Sequence, residues 1–109
     1  MRQIEANMNQ AIRSLLSGGS TNWASSNTTV TKNPNNGNVT VLLHGNHIAT
    51  IANDFVAIYD GGWQSNTTKS RLNALLGEFR PHTQVFQKNF NWFISYAGKT
   101  FDFVSGSLV

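Results

Sequence analysis

Apolar residues recur with a helical period in two stretches of the chain. In the first stretch, Ile4, Met8 and Ile12 follow the i, i+4, i+8 spacing of an amphipathic helix, and Gly18 lies just beyond it as a stop. In the second stretch, four residues form an apolar stripe with i, i+3, i+4, i+7 spacing: Leu72, Leu75, Leu76 and Phe79. This pattern predicts an N-terminal helix within residues 1–19 and a second helix over residues 67–80.

Between the two helices the apolar period falls to two, as expected for strands with one buried face. Four such segments, residues 28–32, 39–44, 47–51 and 55–59, are separated by residues that favour turns. Gly45-Asn46 offers a two-residue hairpin turn between the second and the third segment. Residues 26–60 are therefore predicted to form a four-stranded antiparallel meander.

The C-terminal part, residues 84–104, has the pattern of further strands. Residues 85–87 and 90–96 would pair around a turn at Lys88-Asn89, and residues 101–104 would add a short terminal strand. We predict a single α+β domain over residues 1–109. Its antiparallel β-sheet would consist of the meander plus the C-terminal hairpin, with one helix at the N-terminus and one between the meander and the hairpin.

The composition excludes some kinds of site and indicates the type of partner and the cellular compartment. The 109 residues include no Cys, which excludes disulfide bonds and thiolate metal sites. Charged residues make up 12% of the chain and the net charge is +3, which is compatible with a polyanionic partner. The N-terminus lacks the apolar core of a signal peptide and no apolar run could span a bilayer, so we expect a cytoplasmic protein.

The histidines are the first candidates for metal binding. His44 and His47 flank the predicted hairpin turn and could approach one another, but a site needs a third ligand such as His82, Asp54 or Asp60. Nothing in the spacing brings such a ligand to them. The alternative is that both are ordinary polar residues at strand ends, and we expect neither a metal nor a cofactor.

No pattern of catalytic residues stands out. The five carboxylates are dispersed along the chain, and no Ser lies in the Gly-x-Ser-x-Gly context of a nucleophile elbow. Neither glycine pair is followed by the Lys-Ser/Thr of a phosphate-binding loop. The sequence therefore predicts a protein that is not an enzyme, with a triad assembled in three dimensions as the alternative left open.

The start of the second helix is the first candidate binding site. Thr67 or Thr68 can cap the helix, and its first turn carries Lys69 and Arg71 but no acidic residue. Because the N-terminus of a helix has a partial positive charge and free N–H groups, hydroxyls and cations gathered there suit a phosphate group. The alternative is a Thr-capped helix with two solvated cations.

The C-terminal hairpin is the second candidate. In the predicted pairing one face carries an apolar set suited to the core: Val85, Phe90, Trp92, Ile94 and Tyr96. The other face carries Phe86, Lys88, Asn91 and Phe93, and aromatic rings beside a cation on the outer face of a sheet are typical of a base-stacking platform. The alternative is that a helix covers this face and buries Phe86 and Phe93.

Three short motifs occur together between residues 43 and 92. Leu-His-Gly-Asn-His-Ile-Ala stands at residues 43–49, Gly62-Trp63 precedes Thr-Thr-Lys-Ser-Arg-Leu-Asn at residues 67–73, and Val-Phe-Gln-Lys at residues 85–88 precedes Trp92. In this set the chain resembles a group of small uncharacterised proteins encoded by tailed bacteriophages, over residues 26–104 and without the N-terminal helix. The resemblance implies a phage origin and the cytoplasm of an infected host cell, but no mechanism.

The positive charge and the two candidate sites together predict a small phage-type accessory protein that binds nucleic acid, preferring single strands, without catalysis. The residues expected to contact phosphates or stack on bases are Thr67, Thr68, Lys69, Arg71, Lys88, Phe86 and Phe93. The alternative is a protein–protein interaction module that binds and modulates a host or phage protein. The low charge density favours this alternative, because nucleic-acid binders usually carry more Lys and Arg.

Overall fold

Two helices and nine strands make up residues 2–109, the part of the chain that this computed structural model describes. The helices are α1 (Gln3–Leu16) and α2 (Asn66–Phe79). The strands, in chain order, are β1 (Trp23–Ser25), β2 (Thr28–Lys32), β3 (Val39–Leu43), β4 (Asn46–Ile51), β5 (Val56–Ile58), β6 (Thr83–Lys88), β7 (Asn91–Tyr96), β8 (Lys99–Asp102) and β9 (Ser107–Leu108). The predicted α+β class is confirmed.

The strands form two antiparallel sheets. The larger sheet has the order β1-β2-β3-β4-β5-β9, and the smaller sheet has the order β6-β7-β8. The predicted four-stranded meander is present as β2 to β5, and one further strand is added at each edge. Both edge strands are short and pair with a single neighbour, so the alternation of their side chains was too brief to indicate them.

Two hairpin turns form one residue away from their predicted positions. The turn predicted at Gly45-Asn46 is formed by His44-Gly45, and the turn predicted at Lys88-Asn89 is formed by Asn89-Phe90. In both turns the two central residues have positive φ, which a type I′ turn requires. Phe90, predicted to face the core, therefore stands at a hairpin tip instead.

The core lies between the helices and the two sheets. α1 packs against β1, β2 and β3, whereas α2 lies beside α1 and contacts both sheets, through β4 and β6. Fully buried apolar side chains come from both helices and from the larger sheet: Met8, Ile12, Leu15, Val30, Val39, Val41, Ile48, Ile51, Ile58, Leu72, Leu75 and Leu76. α2 is thus the element that joins the smaller sheet to the rest of the core.

Three polar bridges cross the contact between α1 and α2, and we call this row the polar seam. The bridges are Glu5 to Ser70, Asn9 to the main-chain oxygen of Ala74, and Arg13 to Glu78. Each bridge joins residues 65 positions apart. Because successive bridges lie about one helical turn further along both helices, α1 and α2 run parallel.

The first bridge of the polar seam also contains a buried ion pair. Arg71 Nη1 lies 2.8 Å from Glu5 Oε2, and the two side chains are 4% and 3% exposed. Ser70 Oγ donates to the same carboxylate oxygen at 2.6 Å, while Arg71 donates to Thr28 Oγ1 at 3.0 Å and to Asn27 Oδ1 at 3.2 Å. These bonds join α1, α2 and the start of β2, so three elements meet at one charge pair.

These contacts determine the protonation of Glu5. Burial raises the pKa of its carboxyl, but hydrogen bonds from Ser70, Arg71 and the main-chain N–H of Arg2, together with the charge of Arg71, outweigh burial. The pKa of Glu5 therefore lies below its ordinary value of 4.5. Glu5 is an anion in the folded protein at neutral pH, and its pairing stabilises the folded state there.

Replacing Glu5 by Gln should lower the free energy of unfolding at neutral pH by about 3–5 kcal/mol, because Arg71 is left buried without a counter-charge. The pKa of Glu5 is lower in the folded than in the unfolded chain, so the stability it contributes is complete above pH 4.5 and is lost as the pH falls through the folded-state pKa. Urea unfolding curves should therefore show the gap between wild type and Glu5→Gln narrowing below pH 4.5.

Glu78→Gln is the matched control, since it makes the same change at the exposed end of the polar seam. The Arg13 and Glu78 side chains are 51% and 30% exposed, so this variant should lose only about 0–1 kcal/mol. A gap between wild type and Glu5→Gln that stays constant in acid would contradict the role given to the Glu5 carboxylate. Equal losses in the two variants would contradict it as well.

Candidate functional site

The smaller sheet has one face toward the core and one away from it. On the inner face, Val85, Trp92 and Ile94 are buried. On the other side, residues of β6 and β7 pair across the strands as Gln84 with Ser95, Phe86 with Phe93, and Lys88 with Asn91. We call these six side chains the outer face. These six side chains share a face because side chains alternate along a strand. The sequence predicted this shared face for Phe86, Lys88, Asn91 and Phe93.

A pair of aromatic rings forms the centre of the outer face. Phe86 and Phe93 lie directly opposite one another, with ring centroids 5.5 Å apart and ring planes inclined at 28°. Both rings are partly exposed, and neither belongs to the core or to the apolar side chains packed against it. Among residues 2–109, therefore, no helix buries this pair, and the rings present apolar surface to the outside.

Two lysines lie on the β6 side of the aromatic pair. Lys88 is exposed on the outer face, two residues from Phe86 along the same strand. Lys69 reaches over from α2, where its Nζ donates to Gln87 Oε1 at 3.1 Å and lies 6.0 Å from the centre of the Trp92 ring. Lys69 and Phe86 line one open groove of about 600 Å³ between α2 and β6. Gln87 and Trp92 belong to the inner face, so Lys69 reaches the β6 edge from the side opposite the aromatic pair, whereas Lys88 stands on the outer face itself.

A carboxylate lies on the opposite side of the pair. Asp102 of β8 is exposed and stands directly across from Phe93, so the row across the smaller sheet is Phe86, Phe93, Asp102. An anionic ligand on this surface would be attracted toward β6 and repelled from β8. The charges therefore favour one orientation of an anionic ligand on the outer face, with its negative groups toward β6.

Asn73 holds β6 against α2. Its Nδ2 donates to the main-chain oxygen of Val85 at 2.9 Å, and its Oδ1 accepts from the main-chain N–H of Val85 at 2.7 Å. The amide thus occupies the free edge of β6 as a neighbouring strand would. Since Lys69 lies one turn earlier on the same helix, this clamp also fixes the position of Lys69 relative to Phe86.

The start of α2 does not gather the side chains predicted to hold a phosphate. Ser65, rather than Thr67 or Thr68, caps the helix, and its Oγ accepts from the main-chain N–H of Thr68 at 3.1 Å. Thr68 is buried, whereas Thr67 is partly exposed in a separate groove beside Trp63. Lys69 is directed toward β6, away from the helix start.

Arg71 is occupied inside the protein. It is 3% exposed, and its Nε, Nη1 and Nη2 donate to oxygens of Thr28, Glu5 and Asn27 respectively. The predicted contact with phosphate is therefore corrected: Arg71 is a structural residue in this fold. Its spacing after Lys69 suggested a solvated cation, because the carboxylate that pairs with it lies 66 residues away in the sequence.

The described residues contain neither a metal cluster nor a membrane-spanning helix. His44 is exposed in a turn, while the His47 ring lies 4.1 Å from the Tyr59 ring and its Nε2 is 2.8 Å from Thr50 Oγ1. Within residues 2–109, no group of three or more His, Cys, Asp or Glu side chains could hold a metal ion. Over the same residues, neither helix has the length and apolarity needed to cross a membrane.

Three residues that shape the outer face and its edges were missed in the sequence. Asn73 lies beside the apolar stripe of α2, and a polar residue that disfavours helix interiors is a signal that could have indicated a clamp. Asp102 was placed in a terminal strand without a known neighbour, so its position beside Phe93 had no local signal. Phe90 was misplaced because the hairpin turn was predicted one residue too early.

Comparison with known proteins identifies the family of the chain. The family model described as Kyanoviridae Gp96 protein matches residues 1–109. Neither a curated protein nor a solved structure gives a significant match. The match includes α1, which lay outside the resemblance seen in the sequence, and the predicted phage origin is confirmed. The chain belongs to the Kyanoviridae Gp96 family of phage proteins.

Proposed function

We propose that this phage protein binds single-stranded nucleic acid, without catalysing a reaction, through the outer face of the smaller sheet. The observation that carries the proposal is the partly exposed Phe86–Phe93 pair on a sheet face away from the core. The part of each ring that stays exposed forgoes the stabilisation that full burial would give. Unstacked bases bind such rings through their flat faces, as in sheet-based single-strand binders.

A single strand fits this surface better than a duplex does. In a duplex the flat face of each base is covered by its neighbours, and only groove edges and phosphates are accessible. Around the rings the outer face offers the neutral side chains Gln84, Asn91 and Ser95, which can both donate and accept hydrogen bonds. Such groups tolerate different base edges, so we expect weak sequence preference.

The backbone of the bound strand would follow the β6 side of the sheet. Lys88 on the outer face and Lys69 in the groove at the β6 edge provide the positive charge on that side, and Asp102 disfavours phosphates on the β8 side. Two lysines neutralise few phosphates, so binding should be of modest affinity and moderate salt dependence. This agrees with a chain in which only 12% of residues are charged.

A second candidate function, binding to a host or phage protein, is favoured by a different surface. An apolar groove of about 790 Å³ opens between the smaller sheet and β9, and its lining includes Phe79, Phe101 and Leu108. Phe101 and Leu108 are 50% and 69% exposed. Exposed apolar patches of this kind often mark protein interfaces. The groove does not include the outer face, so substitutions in one surface test one function at a time.

Replacing Lys69 and Lys88 together by Ala should weaken the binding of single-stranded oligonucleotides by a similar factor for every sequence, because phosphate contacts carry no base information. The log–log slope of affinity against salt concentration should become shallower by up to about 0.7 for each lysine removed. Fluorescence anisotropy with labelled homopolymeric and mixed-sequence DNA, at several salt concentrations, measures both effects.

Lys32→Ala is the matched control, because it removes a lysine from β2 whose Nζ donates to the main-chain oxygen of Gly19. Its salt slope should equal that of the wild type. Arg71→Ala should instead destabilise the fold by about 3–5 kcal/mol, since it breaks the buried pair. A wild-type slope in the Lys69/Lys88 variant would contradict the placement of the phosphates, and no binding by wild type at low salt would contradict the function itself.

Replacing Phe86 or Phe93 by Ala should weaken binding by about 1–3 kcal/mol, the usual contribution of a ring that stacks on a base. Stability should fall by the contribution of the ring pair, about 0.5–1.5 kcal/mol, plus that of the area which the partly exposed ring buries. A ring buried in the core would instead cost about 3–5 kcal/mol of unfolding free energy. Anisotropy titrations and urea unfolding of the same variants separate the two outcomes.

Tyr96→Ala provides the aromatic control on the same hairpin. Tyr96 is 53% exposed but belongs to the opposite face of β7 from Phe93. Its removal should leave the affinity for single strands unchanged. Affinity lost in Tyr96→Ala and retained in Phe86→Ala would place the nucleic acid on the other side of the sheet.

A further inference from the structure

Three two-residue turns in the structure share one backbone form. His44-Gly45, Asn89-Phe90 and Ala97-Gly98 each connect two neighbouring antiparallel strands. Their first residues have φ of 51°, 53° and 52°, and their second residues have φ of 77°, 67° and 77°. At the second position, two of these turns have Gly and the third has Phe.

Positive φ is unfavourable for a bulky side chain. In this region the Cβ atom lies too close to the following carbonyl oxygen, which is why type I′ turns favour Gly at the second position. Phe90 is also 92% exposed. Contacts within the domain therefore do not offset the strain, and the ring contributes no burial to the fold. Strained residues of this kind are typical of sites that contact a ligand.

The surroundings of Phe90 identify the chemistry of that ligand. Residues 83–96, which form the hairpin, contain one charged side chain, Lys88, and no carboxylate. Lys88 ends β6 immediately before the turn and is paired with the amide side chain Asn91. An exposed ring beside a cation and a neutral amide is the combination that single-strand sites use, the ring for a base and the cation for a phosphate.

The spacing along the hairpin separates Phe90 from the aromatic pair. Phe90 precedes Phe93 by three residues, which corresponds to about 10 Å along a strand. The tip ring therefore does not stack on Phe93, and a different base would occupy it. Lys88 lies between the aromatic pair and the tip, so a strand that followed β6 would pass it on the way from one to the other.

We propose that Phe90 is a third base-stacking residue, which holds a nucleobase beyond those on Phe86 and Phe93. The inference rests on the proposed function and extends it, because it places the path of the strand along the hairpin toward its tip. It also explains why this turn carries Phe where its two counterparts carry Gly.

Phe90→Gly tests the inference by separating stability from binding. Gly suits the turn, so the thermal midpoint should not fall below that of the wild type. The dissociation constant for a single-stranded oligothymidylate should rise at least about five-fold, the equivalent of one weak base–ring stack. Phe90→Trp should restore binding, because it restores a ring at the tip.

A spectroscopic measurement locates the base. The fluorescence of 2-aminopurine is quenched when it stacks, so a single 2-aminopurine can be moved along the oligonucleotide and its quenching by the protein recorded. Phe90→Gly should lose quenching at one end of the bound segment and keep it at the positions that contact Phe86 and Phe93. Phe86→Ala should show the reverse pattern.

The outcomes distinguish this inference from the function on which it rests. Equal affinity and equal quenching in wild type and Phe90→Gly would overturn the role of Phe90 and leave the proposed function standing. No binding of single strands by the wild type at low salt would overturn both. A lower thermal midpoint for Phe90→Gly would show that the ring packs on its own domain, which would also overturn the inference. Affinity lost by Phe90→Gly and regained by Phe90→Trp, with an undiminished midpoint, supports it.

Discussion

The buried ion pair between Glu5 and Arg71 is the constraint on which the arrangement of the other elements depends. Moving two charges out of water is costly, and such a pair persists only where hydrogen bonds satisfy its remaining groups. Here Ser70, beside Arg71 on α2, and Asn27 and Thr28, at the start of β2, provide those bonds. The pair therefore tolerates little displacement of any of the three elements that meet at it, and it fixes where α2 begins along α1.

α2 connects the ion pair to the smaller sheet and fixes the position of that sheet. Leu72, Leu75 and Leu76 anchor the helix in the core, and the Asn73 amide clamps the edge of β6. β6 in turn carries Phe86 and Lys88. The outer face is thus held by a helix that packs against the opposite side and edge of its sheet, which leaves the aromatic pair uncovered without leaving the sheet loosely attached.

The features that were predicted correctly depend on residues close together in the sequence. The helices and the meander follow from periodicity within a few residues, and the shared face of Phe86, Lys88 and Phe93 follows from alternation along a strand. The direct pairing of Phe86 with Phe93 was not predicted, because it depends on which residues form the turn. The role of Arg71 could not be read from its neighbours either, because its partner Glu5 lies 66 residues away.

The separation of 65 residues between the partners of the polar seam also bears on the order in which the protein is synthesised. A ribosome adds about 5–20 residues per second, so α1 exists for about 3–13 s before its partners on α2 have been made. During that interval β2 and β3, which are translated first, can already cover the apolar side of α1. Glu5, Asn9 and Arg13 then await their partners on α2, and polar groups remain hydrated in water at little cost. A polar contact with the later helix thus leaves less apolar surface of α1 exposed on the nascent chain than an apolar contact would.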